Sequence, residues 1–378
     1  MLHWTRLGLL GALALAAPGA AAAQEITIGF PGPITGPVQF LGQHMKWGAE
    51  MGVEEVNARG GVLGRRLAMR MEDSKCNPSE AVAATEKMLS RDQVTVLMGD
   101  ICSSATLAML PIVERSGVPL LVTISTHPGI TEKAGAGGNR WVFRTNPQDA
   151  ALASSMARWL LATKSYRTVG YLAEDTDYGR GGVEAMRGDL EPKGVKTQSV
   201  DYFKKGESDF VTFLTKAKGA KPDALLLFML DQELQNFMRQ YRQLGLTIPL
   251  TGRPALVSGL VKELVAGGTF NGSSTIYPYY AGYDAPKNKA FVERFSKKYG
   301  QEPHYVAFEQ YEGIHVLAEG LRAAGGTKAE AVRDALEKVR VESILGAIQF
   351  DDHHQAHNRA LLMEIKGGKL EVVELPGT

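Results

Sequence analysis

From residue 25 onward, apolar positions follow two alternating rhythms. Short runs of β-branched, aliphatic and aromatic residues predict strands at 25–30, 67–73, 94–99 and 118–124. Between them, apolar residues recurring every three or four positions predict helices at 43–57, 78–91 and 103–116, with 36–42 as a loop. This β-α-β-α-β-α-β order predicts a parallel sheet with helices on both faces. The pattern restarts after Arg144-Thr145-Asn146-Pro147: a helix over 149–163, a strand over 168–173, then helix and strand signals at 181–193, 197–202, 209–217, 224–229, 233–244 and 249–251. Two doubly wound units in series account for this much of the chain. The C-terminal third differs, with helical patterns at 288–299, 305–324 and 328–338 and only short strands at 346–350, 361–365 and 370–373. Helices this apolar need a surface to cover, which favours a return to the first unit over a free appendage.

The first 23 residues carry a different pattern. Arg6, beside His3, precedes an apolar run over 7–17, then Pro18-Gly19 and Ala21-Ala22-Ala23. A run of this length suits a secretory signal and is too short to span a bilayer, so cleavage is expected before Gln24. No Cys follows the small residues, which argues against a lipid anchor. After the signal, the densest apolar run is 225–230, a length suited to a buried strand.

Export changes the reading of Cys76 and Cys102, the two cysteines of the 378-residue chain. An isolated pair in an oxidising compartment is expected to form a disulfide, stabilising the fold by roughly 3 kcal/mol. The chain has no C-x-x-C and no His at ligand spacing from either cysteine. The net charge of +1 gives no reason to expect nucleic acid as a partner.

Open α/β sheets bind ligands beyond the carboxyl ends of their strands. Three such ends carry helix-start chemistry: Gly32-Pro33-Ile34-Thr35-Gly36 with Phe40 and Leu41, Gly99-Asp100-Ile101-Cys102-Ser103-Ser104, and Thr123-Ile124-Ser125-Thr126. Ser103 and Ser104 sit where a helix leaves N–H groups unpaired, a position that suits either a plain cap or a bound carboxylate. Tyr178, in Glu174-Asp175-Thr176-Asp177-Tyr178-Gly179, follows a strand and precedes a helix, as a cleft residue or a surface turn would. Nucleotide-loop, zinc-protease and nucleophile-elbow motifs are absent from the sequence. Asp351-Asp352-His353-His354 with His357 reads as a polar turn rather than a metal site, and no metal or cofactor is expected.

Taken in order, several short segments resemble the periplasmic leucine/isoleucine/valine-binding proteins, the amino-acid and amide branch of the type I solute-binding proteins of ABC importers. The carriers include Thr35-Gly36-Pro37, Asn57-Ala58-Arg59-Gly60-Gly61-Val62-Leu63-Gly64, Glu72-Asp73-Ser74-Lys75-Cys76, Cys102-Ser103-Ser104-Ala105-Thr106, Phe143-Arg144-Thr145 and Asp175-Thr176-Asp177-Tyr178-Gly179. The resemblance spans essentially the whole mature chain. It implies an α/β fold of two doubly wound lobes, a Venus flytrap, joined by three crossings near 144–146, 275–278 and 350–351. Lobe 1 would comprise 24–144 and 278–350, and lobe 2 would comprise 145–277 and 351–378. It implies a ligand carboxylate held by Ser103, beside the helix-start candidate Ser104, and by Thr126 with the backbone of Ile124 and Ser125. Phe40 or Leu41 would cover the ligand and Tyr178 would pack on it.

One departure bears on the ligand. Amino-acid binders of this kind hold the ligand ammonium with a Glu in a Gly-Pro-Glu segment, which here reads Gly252-Arg253-Pro254-Ala255. Either Asp231 or Asp175 replaces that acid, or the ligand is a carboxylate without an ammonium and Arg253 is a second partner for it. The expected protein is a periplasmic monomer without a membrane anchor or catalysis of its own. It would carry a branched-chain amino acid or related hydrophobic carboxylate to the membrane subunits of an ABC importer. Aromatic or oxo acids, amides and urea are alternatives in the same fold. An exported α/β enzyme and a sensory ligand-binding subunit are the rivals of another class.

Overall fold

The computed structural model describes residues 24–357 and 360–374, so the expected signal segment lies outside the described residues. The first unit runs β1 (Ile26–Gly32), α1 (Gln39–Ala58), β2 (Leu67–Asp73), α2 (Pro78–Ser90), β3 (Val96–Met98), α3 (Ser103–Ser116), β4 (Leu120–Val122) and β5 (Val142–Arg144). Its five strands are parallel in the order β2-β1-β3-β4-β5. The second unit runs α4 (Asp149–Thr163), β6 (Thr168–Glu174), α5 (Asp177–Leu190), β7 (Lys196–Phe203), α6 (Val211–Ala220), β8 (Ala224–Met229), α7 (Asp231–Gln243) and β9 (Leu250–Pro254). Its four parallel strands take the corresponding order β7-β6-β8-β9. In each sheet the strand order reverses beside the first strand of the unit, which opens a crevice at the carboxyl ends.

Local chemistry accounts for many of these boundaries. Asn77 caps α2 by accepting from the N–H groups of Ser79 (2.9 Å) and Glu80 (3.3 Å), with Pro78 in the first turn. Gly117, at φ 65°, closes α3 in the left-handed region. The strand β8 is buried along its whole length, in keeping with an unbroken apolar run between two covered faces. Helix α1 begins four residues earlier than its periodicity suggests, so Phe40 and Leu41 lie on its first turn and not in a loop. Two three-residue strands, β5 and one at Val341–Ser343, escape the periodicity altogether.

After β9 the short helix α8 (Lys262–Ala266) leads to β10 (Ser274–Tyr277), which side chains stitch to β9. Thr251 and Ser274 pair through their hydroxyls at 2.7 Å, and Thr275 donates to the Pro254 carbonyl at 2.7 Å. The chain then returns to the first sheet with α9 (Pro286–Tyr299), α10 (Tyr305–Ala324) and α11 (Ala329–Leu336). Helix α10 packs on α1 so closely that a Cβ added at Gly48 would stand 2.0 Å from the Ala307 carbonyl oxygen. Gln310 also reaches from α10 to the Thr123 hydroxyl at 2.8 Å. The apolar helices of the C-terminal third thus cover the first unit. A hairpin of β11 (Val341–Ser343) and β12 (Gly346–Ile348) follows, and β13 (Leu361–Lys366) with β14 (Lys369–Val373) completes an antiparallel sheet in the order β10-β13-β14.

The strands between the two units meet around Arg144, which is wholly buried. Its guanidinium donates to Gln355 Oε1 (2.6 Å), the Thr131 hydroxyl (2.6 Å) and the His127 carbonyl (2.7 Å). Gln355 in turn donates to the Asn146 carbonyl at 2.9 Å. Burial lowers the Arg144 pKa to about 10, which leaves it charged at neutral pH. The acidic and histidine-rich turn beside it has structural contacts. Asp351 accepts from the N–H groups of His353 and Gln355 and pairs with His357, while His354 stacks on Phe143 with ring centroids 4.0 Å apart.

Candidate functional site

The carboxyl ends of both sheets face one another across a cavity of about 40 Å³. Ser103, Ser104, Ile124, Ser125 and Thr126 line it from the first unit, together with Leu41 and Tyr305, while Glu174, Tyr178, Lys205, Leu230 and Arg253 line it from the second. Two residues singled out from the sequence are elsewhere. Phe40 and Asp231 line a neighbouring chamber of about 120 Å³. The early start of α1 explains the first: Leu41, one residue on, takes the inward face, and Phe40 turns to the rings of His44 and His304.

The Ser103 corner is built by Asp100. The Asp100 carboxylate accepts from the Cys102 N–H at 2.8 Å, and its carbonyl accepts from the hydroxyls of Thr106 (3.0 Å) and Ser125 (2.9 Å). These bonds tie the start of α3 to the segment after β4. Cys102 occupies the cap position of α3 without a side-chain cap bond, so Ser103 falls on the first turn and the plain capping reading does not hold. Ser104 accepts from the Asp177 N–H across the cleft at 3.3 Å. Ser125 engages Thr106 as well as Asp100, which leaves its backbone as its main offering to a ligand.

Cys76 and Cys102 form a disulfide, with Cα atoms 5.6 Å apart. Their sulfurs lie within 4.8 Å of the Asp100 carboxylate, but bonded sulfurs are not thiolate ligands, so this cluster does not suit a metal.

From the other side, Arg253 enters on β9 directly after Gly252, whose φ of 85° is one that side chains rarely take. Arg253 is 4% exposed, and Nη1 donates to Asp149 Oδ1 at 2.9 Å and to the Thr126 hydroxyl at 3.2 Å. The guanidinium carbon lies 5.4 Å from the Tyr178 ring centroid and 5.2 Å from that of Tyr277, within cation–π range. Burial works against the Arg253 charge, but Tyr178, Asp149 and the other surrounding tyrosines outweigh it and raise the pKa. Its Nε is buried with no hydrogen-bond partner among the described residues. The cavity therefore presents a fixed cation, two hydroxyl-bearing corners and a wall of Leu41, Ile101, Ile124, Leu230, Tyr178 and Tyr305. This combination has the chemistry to bind a carboxylate on a flat or branched apolar body, and the cavity of about 40 Å³ must widen to admit one.

Neither acid proposed from sequence as an ammonium partner lies in the cavity. Asp175 pairs with Arg180 on the surface at 2.6 Å, and Asp231 is held by His304 at 2.8 Å. The carboxyl that does line the cavity is Glu174, which the sequence reading passed over. It lies 3.9 Å from the ammonium of Lys205, and burial raises its pKa although Lys205 opposes this. Lys205 also donates to the Cys76 carbonyl across the cleft at 2.9 Å. Asp149, Tyr277 and Tyr305 were missed too. Glu174 had an available signal, because it ends β6 and so falls under the same strand-end rule that singled out Ser103.

The geometry has counterparts among known proteins. The family model described as periplasmic binding protein matches residues 25–369. A leucine-, isoleucine-, valine-, threonine- and alanine-binding protein of Pseudomonas aeruginosa is 30% identical, over 93% of this chain and 92% of its own. The solute-binding protein of an ABC transporter from R. palustris, solved in complex with benzoate, superposes with a TM-score of 0.85 at 23% identity, covering 93% of this chain and 96% of that one. The branched-chain amino-acid binding protein of Streptococcus pneumoniae, solved with isoleucine, gives 0.81 at 25% identity, over 93% and 99%. Together with the paired α/β units and the cleft between them, these matches show that the chain belongs to the periplasmic binding protein family.

Proposed function

We propose that this protein captures a small hydrophobic carboxylate that lacks an α-ammonium, such as an aromatic or branched oxo acid, and delivers it to the membrane subunits of an ABC importer. The observation that carries the reading is Arg253, a buried cation in the cleft whose Nε has no partner. An incoming carboxylate would supply that partner, and the hydroxyls of Ser103 and Thr126 would bind its oxygens. A ligand ammonium placed beside Arg253 would have to compete with its guanidinium for Asp149. The two lobes would divide at 24–144 with 278–350 and 145–277 with 351–378, and closure would bring Arg253 and Tyr178 onto a ligand first bound at Ser103 and Thr126. The same reading takes residues 1–23 as the leader removed on export to the periplasm, leaving a monomer. A thermal-shift screen across amino acids, aromatic acids, oxo acids and amides tests it. Stabilisation by acids without an amino group supports it, and stabilisation by amino acids alone removes it.

A second reading, a branched-chain amino acid as ligand, has one observation in its favour. Glu174 lines the cavity, 2% exposed, with Oε2 unpartnered among the described residues. In that case Glu174→Gln would abolish binding of leucine, whereas under the first reading it leaves acid binding largely intact.

A further inference from the structure

The chamber that takes in Phe40 and Asp231 is larger than the cavity beside Arg253 and shares two walls with it, Leu41 and Leu230. Its polar lining is concentrated at the start of α7. Asp231 is 2% exposed; its Oδ1 is bonded to His304, the Ser258 side chain also reaches its carboxyl, and its buried Oδ2 meets no donor at full hydrogen-bond geometry among the described residues. Glu233 accepts from the N–H groups of Gly206 (2.7 Å) and Leu230 (3.1 Å). Burial, reinforced by Glu174, raises its pKa, while the Gly206 and Leu230 N–H groups and Lys205 oppose the rise. A buried acceptor without a donor is costly, and native structures seldom leave one.

Resting on the carboxylate reading above, we propose that the ligand spans both chambers. Its carboxylate sits on Arg253, its apolar body passes between Leu41 and Leu230, and a hydroxyl at its far end donates to Asp231 Oδ2. The α-ammonium of an amino acid cannot fill that role. It is attached one carbon from the carboxylate and stays in the first cavity, whose lining includes neither Asp231 nor Glu233. The second chamber therefore selects among acids by what they carry at the end opposite the carboxylate. A site built to bond a hydroxyl rejects the analogue lacking it far more strongly than an apolar pocket rejects a missing methyl.

Calorimetry on the full mature chain tests this with matched para-hydroxy and para-methyl pairs of benzoate, phenylacetate and 3-phenylpropanoate. At one of the three lengths the hydroxy acid should bind at least tenfold more tightly than its methyl partner. That advantage should shrink severalfold in Asp231→Asn, which keeps an oxygen for His304 and offers the hydroxyl a neutral amide in place of a charged carboxylate. Asn236→Trp, which fills the chamber from a half-buried position on α7, should also remove it while benzoate still binds. Equal affinities for hydroxy and methyl partners at every length overturn the proposal, as does an advantage unchanged in Asn236→Trp. If none of the acids binds at all, the carboxylate reading itself has failed, a different outcome from acids that bind without discrimination.

Discussion

Replacing Arg253 separates its part in the fold from its part in binding. Arg253 and Asp149 are 4% and 1% exposed and meet at 2.9 Å, so Arg253→Met leaves a carboxylate buried without its cation. Stranding one partner of a buried pair costs about 3–5 kcal/mol, whereas replacing both by neutral groups is often nearly free. Urea unfolding should therefore show a loss of that order in Arg253→Met and recovery of most of it in Arg253→Met/Asp149→Asn. The double variant is then the clean reagent for binding. Each charge-assisted bond from Arg253 to a carboxylate contributes about 1.5–3 kcal/mol, a roughly ten- to 150-fold change in affinity. Calorimetry on the double variant should show acid binding weakened by at least this factor. Parental affinity in the double variant would refute the assignment of Arg253 to the ligand. A single variant as stable as the parent would show that the Asp149 charge does not depend on Arg253.

Three further outcomes concern stability. The Cys76–Cys102 disulfide closes a loop with a sequence separation of 26, so its loss should reduce stability by about 3.5 kcal/mol in the chain-entropy model; equal urea midpoints with and without reductant, once thiol alkylation confirms reduction, would contradict this. Burial, aided by His304, lowers the His44 pKa to about 3, so below about pH 6.5 the unfolded chain takes up a proton that the folded one refuses. The stability that His44 contributes above pH 6.5 is lost as the pH falls toward 3, and His44→Phe should flatten that acid limb in urea titrations; an unchanged slope would exclude His44 as its source. Gly48→Ala should cost about 1–3 kcal/mol in urea unfolding, because its Cβ would meet the Ala307 carbonyl, and no loss would show that α1 and α10 separate easily.

Much of this architecture was legible in the sequence because periodicity and strand-end chemistry are local. The order of β1 to β4, the restart after Arg144 and the return of the C-terminal helices all follow from apolar spacing. Strand-end positions marked Ser103, Thr126 and Tyr178 as candidates, the family resemblance gave them roles, and Arg253 stood out as a departure from the segment that resemblance implies. Features set by tertiary register were not legible. The sequence left Phe40 and Leu41 as alternatives, and the start of α1 at Gln39 sets Leu41 toward the cavity beside Arg253. Asp231 looked available beside Arg253 because nothing near it in sequence shows that it lines the neighbouring chamber, bonded to His304, 73 residues on. Tyr277 and Tyr305 reach the cleft from β10 and α10, whose placement depends on the chain crossing between units.

The central claim is that the cleft binds a carboxylate without needing an α-ammonium. Titration calorimetry with phenylalanine and phenylpyruvate, and with leucine and 4-methyl-2-oxopentanoate, on protein freed of ligand by unfolding and refolding, tests it most directly. The account predicts that in at least one pair the oxo acid binds as tightly as the amino acid or more so. Tight binding of the amino acids with no measurable binding of either oxo acid would contradict it.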